Sequence, residues 1–205
     1  MTNKKEYWNS LLTEKSWNLL HDIKRKYNFI LIGGWAVYLL THQQKSKDID
    51  IVIGMKELEK LKQKNITKND RLKKYELKIE EIDIDIYVEY YSQLAMPVED
   101  IKQHVIKIQG YKIASPEILL ILKQGAYNDR KNSVKGEKDK IDIISIIFFT
   151  DFDFGKYNEL LKKYKLEAWQ HEIKRIISSF KDYNALNMTP RELKKEKEQV
   201  LSKLK

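Results

Sequence analysis

The residues able to do chemistry lie close together in residues 29–53, FILIGGWAVYLLTHQQKSKDIDIVI. An apolar run of strand length meets Gly33-Gly34, and a second apolar run carries Asp48 and Asp50 two residues apart. Neighbours at i and i+2 on a strand point the same way, with Cα atoms roughly 6–7 Å apart. Two such carboxylates can face one pair of divalent metals. Transfer of a nucleotidyl group needs two metals about 4 Å apart, bridging the attacking oxygen, the α-phosphate and the leaving pyrophosphate. Hard carboxylate oxygens suit Mg²⁺, with Mn²⁺ as its substitute. A third carboxylate on a neighbouring strand would complete the set and help deprotonate the nucleophile. The glycine pair would let backbone N–H groups approach the phosphates at a helix N-terminus, where anions are favoured.

Stepping outward, residues 4–26 have apolar positions at Trp8, Leu11, Leu12, Leu19, Leu20 and Ile23, which predicts an amphipathic helix. Residues 29–32 read as a buried strand and residues 35–40 as the start of a helix, with 41–47 a polar loop. Residues 48–53 alternate strictly, so Asp48, Asp50 and Val52 share one face while Ile49, Ile51 and Ile53 belong to the core. Residues 55–64 predict a short helix. Residues 72–79 and 82–88 alternate around Glu80-Glu81, a hairpin signal, with Asp83 and Asp85 on one face of the second strand. Residues 105–108 and 111–113 predict another hairpin around Gly110.

From Ser115 the pattern turns helical. Ser115-Pro116-Glu117 reads as a helix start, with the helix reaching Tyr127; 128–137 reads as a polar loop and 138–149 as a second helix. Asp153 is placed to cap a helix ending at Lys163, and residues 167–180 carry Trp169, Ile173, Ile176, Ile177 and Phe180 on one stripe. Thr189-Pro190-Arg191-Glu192 reads as a capping box opening a basic last helix to Lys205. The layout is α+β: an α/β core over 1–114, including the first helix, then a helical region over 115–205.

With 205 residues, 42% hydrophobic and 34% charged, the chain can bury a proper core. Absence of cysteine excludes disulfides, thiolate metal sites and thiol nucleophiles. No apolar run reaches the ~20 residues of a membrane span, and MTNKKEYWNS lacks the apolar stretch of a secretory signal, so the expectation is a cytoplasmic protein with no membrane partner. The net charge of +9 favours polyanions, or reflects lysine as the default solvent residue. His21, His42, His104 and His171 show no ligand spacing and read as structural or surface. Trp8, Trp17 and Trp169 read as core faces of amphipathic helices, and Trp35 as helix packing.

The GG pair, thirteen intervening residues and DID resemble the signature of the DNA polymerase β-type nucleotidyltransferase superfamily. That resemblance implies a mixed-sheet core with a C-terminal helical extension. It also implies Mg²⁺-dependent transfer of an NMP from an NTP, with Asp48 and Asp50 as metal ligands. The superfamily's third aspartate lies on a later strand: Asp85 in IDIYV matches best and Asp83 competes. The wording GGWAV is similar to aminoglycoside and lincosamide nucleotidyltransferases and to AbiEii-type toxins. Lys123 in ILLILKQGAYNDR, Arg130, and Lys138-Asp139 with Asp142 in KDKIDIISII resemble the helical segment after the AbiEii-like core. There a lysine and an arginine hold the triphosphate and acidic residues organise them, a role implied here for Lys123 and Arg130; Arg130 and Lys138 also read as plain solvated charges. Gly34 stands where the smaller antitoxin-type members have serine. The resemblance spans residues 29–148 and leaves the acceptor open: an RNA or tRNA end, a protein hydroxyl or a small molecule, with an antitoxin or other protein partner implied by the toxin likeness. The competing function is a nucleotide- or RNA-binding module without catalysis; dimerisation or partner docking through the last helices would add to the transfer function rather than compete with it.

Overall fold

In the computed structural model, which describes residues 7–204, a seven-stranded mixed sheet is covered on both faces by helices. Helix α1 (Ser10–Lys26) leads into strand β1 (Ile30–Ile32), helix α2 (Gly33–Thr41) and strand β2 (Ile49–Ile53). Helix α3 (Met55–Leu61) precedes strands β3 (Thr67–Asn69), β4 (Lys74–Ile79) and β5 (Ile82–Val88). A 3₁₀ segment (Val98–His104) and strands β6 (Val105–Ile108) and β7 (Tyr111–Ala114) complete the sheet. Its order is β3-β4-β5-β2-β1-β7-β6, with β2–β5 and β1–β7 parallel and the other pairs antiparallel. Helices α4 (Pro116–Arg130), α5 (Val134–Phe149), α6 (Phe154–Lys163), α7 (Ala168–Ser179) and α8 (Pro190–Lys203) follow.

Period-two alternation decides the layers. Ile49, Ile51, Ile82, Ile84 and Ile86 are buried on one side of the sheet, where α1 and the end of α3 meet them. Asp50 and Asp85 project from the other side, toward α2, α4 and α5. The last helices brace α4 through one buried amide: Tyr157 Oη donates to Gln124 Oε1 at 2.5 Å, and Gln124 Nε2 donates to the Trp169 carbonyl at 3.1 Å.

Several expected boundaries move, each for a local reason. The Asn9 side chain accepts from the N–H groups of Leu11 and Leu12, so α1 begins at Ser10 and Trp8 precedes it. Residues 4–6 of the expected helix, and Lys205, lie outside the described residues. The glycine pair is the first turn of α2 rather than a break before it. Strand β3 escaped the sequence reading, because Thr-Lys-Asn has no apolar alternation; it is held by pairing with β4. The stretch read as a loop over 128–137 is mostly helix: α4 runs on to Arg130, and Ser133 caps α5 by accepting from Gly136 N. The capping box at Thr189 and Glu192 and the Asp153 cap form as expected.

Candidate active site

Strand pairing builds the floor of the site. In the parallel β2–β5 ladder Asp50 lies directly beside Asp85, on strands about 4.8 Å apart. Asp48, two residues upstream of Asp50, lines the same cleft, a small cavity of about 70 Å³. Asp85 is therefore the third carboxylate that lines this cleft. Asp83 pairs across β4 with Lys78 at 4.0 Å, is 57% exposed, and does not line the cleft.

The glycines make room for the acids. Gly33 sits at φ +67°, and a Cβ there would lie 2.0 Å from Asp50 Oδ2. No side chain larger than hydrogen is compatible with that carboxylate position. A Cβ on Gly34 would meet Ser46 Oγ at 2.6 Å, and Ser46 Oγ donates to the Asp48 carbonyl at 3.0 Å. The glycine pair thus seats Asp50 and the loop that presents Asp48. No side chain caps α2, so its first-turn N–H groups form the electropositive end of a nine-residue helix.

Facing the acids, α4 and α5 present a buried ionic lattice. Lys123 Nζ contacts Asp142 at 2.8 Å and Asp139 at 3.1 Å, and Arg130 grips Asp139 with Nε and Nη2 at 2.8 and 3.1 Å. Lys138 pairs with Asp142. Asp139 and Asp142 are at most 1% exposed. Burial disfavours the Lys123 ammonium, but Asp142 and Asp139 outweigh it and raise its pKa above the ordinary lysine value. Burial lowers the pKa of Lys138, with Asp142 only partly compensating. Lys123 and Arg130 thus meet Asp50 and Asp85 in one cleft, and both bear on Asp50 electrostatically.

Burial, then the neighbouring Asp85 charge, raises Asp50 to about 6; burial raises Asp85 as well. Two adjacent carboxylates whose burial opposes ionisation, with oxygen-only donors, match the chemistry of a hard divalent cation. As they stand, the acids are answered by lysines: Lys74 Nζ lies 2.7 Å from Asp85 Oδ2, and Lys135 Nζ 3.2 Å from Asp48 Oδ2. Among the described residues no three His, Asp or Glu side chains form a ready metal cage. The donor set fits such an ion, while its convergence would require the lysines to give way.

No family model and no curated protein matches the chain. Its fold is similar to that of an antigenic nucleotidyltransferase-like protein from Paracoccidioides brasiliensis, at 17% identity and TM-score 0.45, over 87% of this chain and 93% of that one. It is also similar to JHP933 from Helicobacter pylori, at 16% identity and TM-score 0.49, over 96% of this chain and 94% of that one. Likeness at this level assigns neither family nor activity. Among the described residues no helix is long and apolar enough to cross a membrane.

Four side chains at the cleft escaped the sequence reading. Lys74 was findable: the Glu80-Glu81 hairpin sets Ile79 against Ile82, which carries Lys74 to the face of Asp85. Lys135 lay in the presumed loop, and Ser46 in the polar stretch before Asp48. Trp8, expected in a helix, lines the cleft with Lys47 Nζ 4.8 Å from its ring centre. Trp35 is buried at 1% exposure and donates to Ser16, the packing role expected of it.

Proposed function

We propose that this chain transfers a nucleotidyl group from an NTP to a hydroxyl acceptor, with Mg²⁺ held by Asp48, Asp50 and Asp85. The observation that carries the reading is the in-register Asp50–Asp85 pair in a cleft that also holds Lys123 and Arg130. Bound divalent ions would supply Lewis-acid stabilisation of charge on the α-phosphate and the leaving pyrophosphate. Gly33 and Gly34 at the N-terminus of α2, together with Lys123 and Arg130, hold the triphosphate by backbone N–H groups and fixed positive charge. Asp85, its proton affinity increased by burial, takes the proton of the acceptor hydroxyl. The acceptor oxygen bonds to the α-phosphorus, the bond to the β-phosphate bridge breaks, and pyrophosphate leaves. Candidate acceptors are RNA ends, tRNA among them, protein hydroxyls and small molecules.

Labelled NTPs with Mg²⁺ and each acceptor class test this. Label should pass to one class, and Asp50→Asn should lower the rate at least ~100-fold. No transfer to any class, with wild type and Asp50→Asn equal in NTP binding, removes the reading. The toxin likeness adds one expectation: growth arrest on expression, abolished by Asp50→Asn.

A second reading draws on Lys74 and Lys135. If these ammonium groups permanently neutralise Asp85 and Asp48, the chain binds nucleotide without transferring it. Metal-independent NTP binding, unchanged by Asp50→Asn, would favour it.

A further inference from the structure

Basic residues are dense at one edge of the sheet as well as on the last helix. Residues 60–78 contain eight basic and two acidic residues, so they supply six of the nine net positive charges. Helix α8 contains five basic and three acidic residues, and Lys197 is spent on the carbonyls of Ser178 and Phe180. Lys60, Lys62 and Lys64 lie at the end of α3 and in the turn after it; residues 67–78, with five basic and two acidic residues, fold as the β3–β4 hairpin, the outermost strands beside β5. It adjoins the carboxylates directly, since Lys74 at the start of β4 reaches Asp85.

Aromatic rings accompany the charge. Lys68 and Lys73 lie 5.0 and 5.8 Å from the ring centre of Tyr91, which packs on Tyr75 at 5.4 Å. Tyr90, just past β5, is 77% exposed and held at φ +61°. A tyrosine in the left-handed region with its ring in solvent is a costly arrangement, of a kind that recurs at ligand-contacting sites. Tyr90 and Tyr91 also line a groove of about 480 Å³ with Tyr164, Lys163 and Lys165. Acidic groups nearby are largely engaged: Asp70 with Lys68 and Tyr91, and Asp100 with Lys163 and Tyr164. Glu99 accepts from Tyr90 N at 3.3 Å and is the acid on the groove wall. Lysines that follow a backbone, beside rings that accept any base face, are the two parts of a single-strand binding surface.

We propose that the β3–β4 hairpin and the adjoining tyrosine groove dock a single-stranded nucleic acid whose terminal hydroxyl is the acceptor. Its purpose rests on the proposed transfer reaction; the binding itself does not. Phosphates lie along Lys68, Arg71 and Lys73, and a base stacks on Tyr90.

Fluorescence anisotropy with a short unstructured RNA, and with DNA of the same sequence, measured between about 50 and 200 mM salt, tests the surface. Wild type should bind, with affinity falling steeply as salt rises. Lys68→Glu, Arg71→Glu and Lys73→Glu together should weaken binding at least ~tenfold and lower the salt slope by about one per cation removed. Tyr90→Ala should weaken it ~fivefold or more with the slope unchanged. Lys194→Glu with Lys195→Glu should bind as wild type. Circular dichroism establishes that each variant is folded, and Arg71→Glu alone, at an exposed turn, serves if the triple variant is not. The proposal is overturned if wild type binds neither nucleic acid, if the hairpin variant binds as wild type, or if the α8 variant loses as much. Nucleic-acid binding that survives Asp50→Asn in a chain unable to bind NTP upholds the surface and removes only the transfer reading.

Discussion

At the residue scale, two contacts hold the cleft and each makes a prediction. Gly33 is bound to Asp50 by sterics, since both its positive φ and the carboxylate pressed against it exclude a Cβ. Gly33→Ala should cost about 2 kcal/mol in denaturant unfolding and displace Asp50, lowering nucleotide affinity with it. Wild-type stability in that variant would mean the carboxylate is not seated there. Asp139 is held by charge. Burial opposes its ionisation, but Lys123 and Arg130 more than compensate and hold its pKa below the ordinary aspartate range. A depressed folded-state pKa gives stability that is present above the unfolded value and lost as pH falls through the folded one. Asp139→Asn should therefore cost about 3 kcal/mol near neutral pH, with the gap from wild type closing below about pH 4. Melts across that range give the answer, and a gap independent of pH would contradict it.

Element by element, what could be read from the sequence was what strand alternation controls. Asp48, Asp50 and the isoleucine backing follow from a period of two; that period leaves Asp83 and Asp85 on one face, and the register of β2 against β5, seen only in the fold, separates them. Hidden were features set by packing between elements. Helix α4 extends through Asn128 because that amide donates to Glu172 on α7, a partner distant in sequence. Trp8 left its helix because Asn9 caps better than it propagates. The brace on α4 is testable: Tyr157→Phe strands the Gln124 acceptor in a buried setting and should cost about 1–3 kcal/mol by chemical denaturation. A neutral result would mean Gln124 finds another donor.

Across the whole molecule, β2 and β5 carry buried isoleucines on one face of the sheet and the cleft acids on the other, beside the packed α2, α4 and α5. Ile84→Ala, at a position 1% exposed and adjacent to Asp85, should cost about 2–5 kcal/mol through the cavity it leaves. Nucleotide affinity of the still-folded fraction, measured well below its melting temperature, should change less than about threefold, because the lost atoms point away from the cleft. A large loss of affinity would show that the two faces are coupled through the strand.

The position of β3 at the rim of the sheet has a consequence of another kind. An edge strand offers unpaired backbone groups to any neighbouring chain, and lysines along it are a common defence against such pairing. Lys68, on β3 itself, therefore guards the protein's solubility. Replacing it with an uncharged β-former such as valine invites aggregation, whereas a glutamate keeps the edge charged. Crowding at high concentration should expose the difference: Lys68→Val chains should associate through β3 where Lys68→Glu chains stay apart.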